Sequence, residues 1–326
     1  MIWELSARIR RETEETVYTT ITVTAISLKP KKWDKGYNAE KLETSFRAAA
    51  KGQPDLIVAP EGVLEGYVAM DVIRHPERAP AMLEIAEPIN GPSIQRFRQL
   101  AQDLRTCLCF GFAERVGDEV YNTAIFIDHC GAICGHYHKT QLAEGTDPSW
   151  YFDRVGHQIR AFDTPLGRMG ILICNDRANP KIARTLVLDG ARCLLIPSYG
   201  TRKKSQNAIV IARARENGVP VVQANVGNNL IISKGEIVAY KWGCDQLTTA
   251  EVELPVLPSE AAARAAESEY MAEQPKTMTE RYQRTMQRVR DGHWNGRPGH
   301  TLSAAETRSY GHWERVSRRT MPVLSA

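Results

Sequence analysis

The sequence predicts an α/β protein in which helices cover mixed β-sheets, and three observations support this class. Short apolar runs with strand character alternate with amphipathic segments of helical periodicity along most of the chain. The order of these elements is mixed rather than a strict β-α-β repeat, so parallel and antiparallel pairing are both expected. A turn sequence, Asp128-His129-Cys130-Gly131, separates two strand-like runs and predicts at least one antiparallel hairpin.

The predicted strands are short apolar runs bounded by turn residues. In chain order they are Val17 to Leu28, Leu56 to Ala59, Cys107 to Ala113, Thr123 to Asp128, Met169 to Cys174, Cys193 to Pro197, Val219 to Ala224 and Leu230 to Ser233. The predicted helices carry apolar residues at helical spacing. They are Lys41 to Lys51, Ser93 to Leu104, Pro180 to Gly190 and Asn207 to Asn217. We expect Glu251 to Leu254, just before Pro255, to be the last strand of the body.

The chain divides into a main domain, residues 1–258, and a C-terminal extension, residues 259–326. The extension opens with a helix-like stretch rich in Ala, Glu and Arg, and becomes rich in Gly, Pro, Arg and Trp around Asp291 to His300. Disordered tails have few aromatic residues, so Trp294 and Trp313 indicate that the extension packs on the body or on a partner subunit.

Composition excludes several classes of protein. The 326 residues are 43% hydrophobic and 25% charged, as in ordinary globular proteins, and the net charge of +4 is too small to indicate nucleic-acid binding. No apolar stretch is long enough to cross a bilayer, and the N-terminus lacks the apolar core of a signal peptide. We therefore expect a cytoplasmic protein that does not bind membranes, in which the seven cysteines are mostly free thiols.

Cys174 is the first candidate for chemistry because it lies where an apolar strand gives way to the polar residues Asn175-Asp176-Arg177. The helix predicted from Pro180 onward makes this a strand-to-helix elbow. Backbone N–H groups at such an elbow favour a thiolate and can bind an oxyanion. The simpler interpretation is a small core residue that ends a strand.

Glu61 and Lys139 lie at two other strand ends. Glu61 follows the predicted strand that ends at Ala59, and a carboxylate beside apolar walls can act as a general base near neutral pH. Alternation along Ile133 to Lys139 places Ile133, Gly135, Tyr137 and Lys139 on one strand face. A lysine among apolar neighbours either forms a salt bridge or directs its charge at a developing oxyanion.

Three separated segments together resemble the nitrilase superfamily of carbon–nitrogen hydrolases: PEGVLEGY at 60–67, HKTQL at 138–142 and ILICNDR at 171–177. The order Glu, Lys, Cys and the position of each at a strand end make the combination specific. The resemblance covers the chain from about Val17 to Leu254. It implies a four-layer α-β-β-α sandwich that forms a homodimer or a larger homo-oligomer.

The resemblance also implies roles for the three residues. Glu61 becomes the general base, Lys139 the residue that stabilises the oxyanion, and Cys174 the nucleophile. Many members use a second glutamate shortly after the lysine, and Glu144 is the nearest acid of that type, with Asp147 as the competing position. This chemistry requires no metal and no organic cofactor.

Residues near the elbow are candidates for binding substrate. The backbone N–H of Asn175 is a candidate oxyanion donor, and Tyr199 ends a strand whose loop is expected to line the pocket. Asn175-Asp176-Arg177 resembles members that hydrolyse N-carbamoyl amino acids, in which arginines hold the substrate carboxylate. Arg177 is the candidate for that role, although a structural pair with Asp176 or Glu216 is an equally good interpretation.

Two alternatives compete with a thiol hydrolase. The first is a zinc protein, because one hairpin holds His129, Cys130, Cys134, His136 and His138, and the last three share a predicted strand face. Neighbouring positions on a strand are poor geometry for zinc, so we predict no metal. A noncatalytic scaffold is the other alternative, because residues 259–326 hold eleven Arg or Lys against eight Asp or Glu.

The sequence therefore predicts a cofactor-independent thiol hydrolase that cleaves a non-peptide C–N bond. A linear amide or a carbamoyl group is the predicted target, and a nitrile is the alternative, since all three reactions use the same thiol, base and lysine.

Overall fold

The computed structural model of the protein describes residues 9–10, 18–200, 205–255 and 261–291. Its strands are β1 (Ile9–Arg10), β2 (Tyr18–Ser27), β3 (Leu56–Val58), β4 (Cys107–Val116), β5 (Glu119–Ile127), β6 (Ile133–His138), β7 (Phe162–Thr164), β8 (Gly167–Ile171), β9 (Leu194–Ser198), β10 (Val221–Asn225), β11 (Asn228–Ser233), β12 (Glu236–Trp242) and β13 (Gln246–Leu254). Its α-helices are α1 (Lys35–Ala50), α2 (Ala69–Arg74), α3 (Ala79–Ile85), α4 (Pro92–Leu104), α5 (Pro180–Leu188), α6 (Ser205–Asn217) and α7 (Ala261–Arg290).

The strands form two mixed sheets. The first has the order β1-β2-β3-β4-β5-β6, with β13 also pairing with β2, and the second has the order β12-β11-β10-β9-β8-β7. Parallel pairing joins β2, β3 and β4 in the first sheet and β8, β9 and β10 in the second. The predicted hairpin is confirmed, because β5 and β6 pair antiparallel across the turn at Asp128–Gly131.

Three apolar cores separate four layers. One core lies between the sheets and includes Val23, Ile171 and Val222, all fully buried. A second joins the first sheet to α1 and α4 through residues such as Phe46 and Phe97. A third joins the second sheet to α5, α6 and α7. The result is an α-β-β-α sandwich, so the predicted fold class is confirmed.

The predicted strands and helices are present, but the protein has further elements that were not predicted. These are β1, β7, β12, α2 and α3, and β13 begins at Gln246 rather than Glu251. β12 carries exposed apolar side chains at Ile237, Val238 and Trp242, so it lacks a clean alternation of buried and exposed residues.

One strand-face prediction was wrong because of a β-bulge in β6. The register between β5 and β6 shifts so that Phe126 pairs with Gly135 and Ile127 pairs with Ile133, which leaves Cys134 without an opposite residue. Ile133 therefore packs on the helix side of the sheet, whereas Tyr137 packs between the sheets.

Helix α7, in the C-terminal extension, packs against the body. Tyr270 joins the core beneath the second sheet, and Met286 and Val289 join a fourth cluster around Trp150. Trp294 and Trp313, the expected anchors, lie outside the described residues. Among the residues that the structure describes, no helix combines the length and apolar character needed to cross a membrane.

Candidate active site

The three candidate residues come from both sheets and meet at the ends of their strands. Glu61 follows β3 and Lys139 follows β6, both in the first sheet, whereas Cys174 follows β8 in the second. Gly111 on β4 allows this packing, because a β-carbon there would lie 2.8 Å from the Cα of Glu61. The candidate site therefore lies between the sheets at one end of the sandwich.

Glu61 and Lys139 form an ion pair that is completely buried. Lys139 Nζ lies 2.6 Å from Glu61 Oε1, and both side chains have no exposed surface. Asn122 Nδ2 donates to the same oxygen at 2.8 Å, and the Tyr199 N–H donates to Oε2 at 2.8 Å. Burial alone would lower the pKa of Lys139, but the charge of Glu61 raises it above its ordinary value. The ion pair with Glu61 therefore favours the charged form of Lys139.

Cys174 sits in a strained backbone conformation at the start of a short 3-10 helix, Cys174–Ala178. Its φ is +46°, which is uncommon for a residue with a side chain. Asp176 holds this turn, because its buried carboxylate accepts hydrogen bonds from Ile173 N and Gln141 N, each at 2.8 Å. The Tyr137 hydroxyl donates to Asp176 at 2.9 Å. The conformation of the elbow is therefore fixed by one aspartate.

The surroundings of Cys174 favour the protonated thiol over the thiolate. Burial raises its pKa, and the charge of Glu61 raises it further, while Arg177 and Lys139 oppose the shift. This shift runs against the expectation that the elbow would favour a thiolate, because burial and a nearby carboxylate both disfavour the charged sulfur. Glu61 must remove the proton if Cys174 attacks a substrate.

Glu144 lies near the pair, as expected for a second glutamate. Its carboxylate is buried and accepts a hydrogen bond from the Tyr67 hydroxyl at 2.8 Å, while its other oxygen has no partner among the described residues. Tyr67 in turn stacks on Tyr199 with ring centroids 4.7 Å apart. Asp147, the competing position, accepts hydrogen bonds from the N–H and the hydroxyl of Ser149 and stabilises a local turn. The geometry favours Glu144 over Asp147.

The three predicted substrate-binding residues all lie beside Cys174. The thiol is 3.9 Å from the Tyr199 carbonyl oxygen, and Asn175 directly follows the nucleophile. Arg177 is buried and donates from Nη1 to Ser198 Oγ at 2.8 Å. Of its two suggested acidic partners, Glu216 pairs with Arg213 at 2.9 Å, and Asp176 holds the elbow.

Four residues that build the site were not among the predicted site residues. Asn122 binds Glu61, and Tyr67 binds Glu144. Asp176, which holds the elbow, was predicted only as a possible partner for Arg177. Glu65 binds the N–H groups of Ala113 and Tyr67, and burial raises its pKa to about 7. Tyr67 and Glu65 belong to the PEGVLEGY segment, so the motif itself was the available signal.

The structure separates the three residues, Cys134, His136 and His138, that were expected to share a strand face. Because of the bulge in β6, Cys134 packs towards the core between the sheets, whereas His136 and His138 point to the other face. There Glu114 replaces Cys134: its Oε2 accepts hydrogen bonds from His136 Nε2 at 2.6 Å and His138 Nε2 at 2.9 Å. Within the part of the chain that the structure describes, the donor atoms of these three residues lie within 4.8 Å of one another, close enough to hold a metal ion.

This cluster predicts an acid-sensitive contribution to stability. Burial raises the pKa of Glu114, but hydrogen bonds from His136 and His138 outweigh it and lower the pKa to about 2, from an ordinary value of 4.5. The folded pKa is depressed, so the contribution is present above pH 4.5 and is lost as the pH falls through about 2. Its size is on the order of 3 kcal/mol. Urea unfolding of wild-type protein and Glu114→Gln across this range should show a shallower pH dependence in the variant.

Glu119→Gln is the matched control, because Glu119 is only half-buried on the adjacent strand and pairs with Arg154 at 3.0 Å. It should leave the pH dependence unchanged. Equal slopes for the wild type and Glu114→Gln would show that the carboxylate titrates normally.

Together, the sandwich and the buried Glu, Lys and Cys at its strand ends define the class of the protein as a carbon–nitrogen hydrolase. The family model for carbon-nitrogen hydrolases matches residues 22–257. The chain belongs to this family, and it is an enzyme that acts on C–N bonds other than peptide bonds.

Individual relatives differ in the reaction that they are named for. The chain is 28% identical to a nitrilase of Pyrococcus abyssi, with 72% of this chain and 90% of that enzyme covered. It is 29% identical to N-carbamoylputrescine amidase of Oryza sativa, over 60% of this chain and 62% of that enzyme. The crystal structure of an amidase from Nesterenkonia sp. superposes with a TM-score of 0.59 at 20% identity, over 72% of this chain and 90% of that one. The last likeness supports the fold alone.

Proposed function

We propose that the enzyme hydrolyses a linear amide or an N-carbamoyl group through an acyl-enzyme on Cys174, with release of ammonia or an amine. The observation that carries this proposal is the buried Glu61–Lys139 pair joined to Cys174 through Tyr199. The Tyr199 N–H binds Glu61 at 2.8 Å, and its carbonyl oxygen lies 3.9 Å from the thiol. A thiol nucleophile, a carboxylate base and an ammonium group are the three groups that acyl transfer needs.

In the first half of the reaction, Glu61 takes the proton of the Cys174 thiol as the sulfur attacks the carbonyl carbon. The oxygen becomes an oxyanion, which the Lys139 ammonium and the Asn175 N–H stabilise. When this intermediate collapses, the C–N bond breaks and Glu61 passes its proton to the departing nitrogen. A thioester on Cys174 remains.

In the second half, Glu61 takes a proton from water, and the hydroxide attacks the thioester carbon. The C–S bond breaks, the carboxylic acid leaves, and the proton held by Glu61 returns to the sulfur. Glu144 is a second carboxylate near Lys139, and its charge helps to raise the pKa of the lysine. No step needs a metal or an organic cofactor.

The Asn175-Asp176-Arg177 segment supports a carbamoyl or amide substrate, with Arg177 and Tyr199 bounding the pocket. The residue after Arg177 is Ala178, which offers no second cation at that position. We also propose that the enzyme acts in the cytoplasm as a homodimer or a larger homo-oligomer. Its seven cysteines are all free, which suits a reducing compartment.

A substrate panel tests the proposal: linear amides, N-carbamoyl amino acids, N-carbamoyl amines and nitriles, each followed by ammonia release. Intact mass spectrometry of rapidly quenched reactions should show an acyl adduct that maps to Cys174. Faster turnover of nitriles than of amides would favour the nitrilase alternative. An absence of turnover across the panel would contradict the proposal and return the noncatalytic scaffold to consideration.

A further inference from the structure

Helix α7 begins after the last residue of the family match, residue 257, yet its second half reaches the candidate site. We propose that Arg281 on this helix is a positioning residue for catalysis: it ties the loop after Lys139 to the residue after Cys174. This inference rests on the proposed function, and it adds a residue that neither the motifs nor the family match covers.

The contacts of Arg281 join the two catalytic segments directly. Its Nε donates to the Ala143 carbonyl oxygen at 2.8 Å, and its Nη2 donates to Asn175 Oδ1 at 3.1 Å. Gln141 closes the network, because Asn175 Nδ2 donates to the Gln141 carbonyl and Gln141 Nε2 donates to the Asn175 carbonyl, each at 3.1 Å. Ala143 directly precedes Glu144, so one guanidinium restrains both the Glu144 loop and the side chain of Asn175, whose backbone N–H is the proposed oxyanion donor.

The helix is seated closely enough to hold this guanidinium in place. A β-carbon on Gly145, whose φ is +82°, would lie 2.3 Å from the backbone nitrogen of Tyr282, so the two backbones touch. The Tyr282 ring packs edge-on against Trp150 at 5.3 Å. One helical face thus presents Arg281 and Tyr282 to the loop that follows β6.

A second pair of contacts, further up the helix, fixes its register. The Tyr270 hydroxyl donates to Thr140 Oγ1 at 3.1 Å, and Gln274 Nε2 donates to the Thr140 carbonyl at 2.9 Å. Both contacts are buried, and Thr140 is the residue after Lys139. A slip of α7 along its axis would break these bonds together with those of Arg281.

Arg281 lies in a partly buried, charged environment. Burial lowers its pKa and the charge of Arg284 adds to this, while the charges of Glu144 and Cys174 oppose it. An arginine remains charged at neutral pH, so its guanidinium balances Glu144 at the edge of the site. Loss of this residue should displace the oxyanion donor, and a displacement of about 1 Å can cost roughly 100-fold in rate.

The test compares Arg281→Ala and Arg281→Lys with Arg284→Ala as the matched control. Arg284 lies nearly one turn further along the same helix, its side chain is 64% exposed, and it pairs with Glu280 at 3.7 Å. We expect Arg281→Ala to lower kcat about 10- to 100-fold with a smaller change in KM. Added guanidinium ion should restore part of kcat, whereas sodium chloride at the same ionic strength should not. Arg281→Lys, with one nitrogen for two acceptors, should lie in between.

Hydrogen exchange supplies a measurement that needs no substrate. In Arg281→Ala, peptides covering 140–145 and 174–178 should exchange faster, while Arg284→Ala should match the wild type. Unchanged exchange, unchanged kcat or an equal loss in Arg284→Ala would each overturn the proposal. If the wild type cleaves nothing in the panel, faster exchange in Arg281→Ala would still support the positioning contact, and the proposed function would be the part that fails.

Discussion

Replacement of Cys174 with alanine is expected to reduce hydrolysis by roughly 10⁴-fold or more, because no other group can form the acyl-enzyme. The fold should survive, since alanine is smaller than cysteine and leaves the hydrogen bonds of Asp176 intact. Steady-state ammonia release measures the effect, and intact mass should show no adduct. Cys174→Ser adds a second test, because serine keeps the shape of the side chain and replaces only the thiol with a hydroxyl. A loss of activity in this variant would show that the sulfur itself is needed.

Cys193→Ala is the matched control for this prediction. Cys193 is also a free, fully buried cysteine, and it packs in the same core between the sheets. This variant should lose some stability and keep turnover within a few-fold of the wild type. Hydrolysis by Cys174→Ala at a rate close to that of the wild type would rule out the thiol mechanism.

Glu61→Gln is expected to damage both activity and stability. Loss of a general base costs about 10²- to 10⁴-fold in rate. The same change leaves the Lys139 ammonium, which has no exposed surface, without its counter-charge 2.6 Å away. Breaking a buried pair from one side costs about 3–5 kcal/mol in the free energy of unfolding. Ammonia release and urea unfolding at neutral pH measure the two losses.

The double variant Glu61→Gln with Lys139→Met separates the two effects. Methionine fills much of the lysine volume without a charge, so stability should return towards that of the wild type while activity stays at or below that of Glu61→Gln. Equal stability of the single variant Glu61→Gln and the wild type would show that Lys139 does not depend on Glu61 for its charge.

The sequence predicted the parts of the fold that follow from periodicity. The apolar runs became β2 to β5 and β8 to β11, because a strand buried in a two-sheet core needs continuous apolar residues. The bulge in β6 could not be predicted, since it depends on pairing with Phe126 and Ile127 rather than on local sequence. One inserted residue moved Cys134 to the opposite face from the one expected.

The candidate site divides in the same way. Glu61, Lys139 and Cys174 each follow an apolar strand, and this local signal was readable. The resting state of the thiol was not, because it depends on desolvation and on a carboxylate 113 positions away in the chain. Arg281 gave no local signal either: it is one of many basic residues in an extension, and its contacts with Ala143 and Asn175 arise only from how α7 packs.

The division of the site between two sheets makes activity a reporter of how the layers dock. The backbone hydrogen bonds between strands form within each sheet and do not depend on the other sheet. The active site does, because the base and the lysine follow strands of one sheet and the nucleophile follows a strand of the other. A loosened state that keeps both sheets while the core between them expands would retain its far-ultraviolet circular dichroism and lose the alignment of thiol and carboxylate. On heating or in mild acid, turnover should therefore vanish before the secondary structure does.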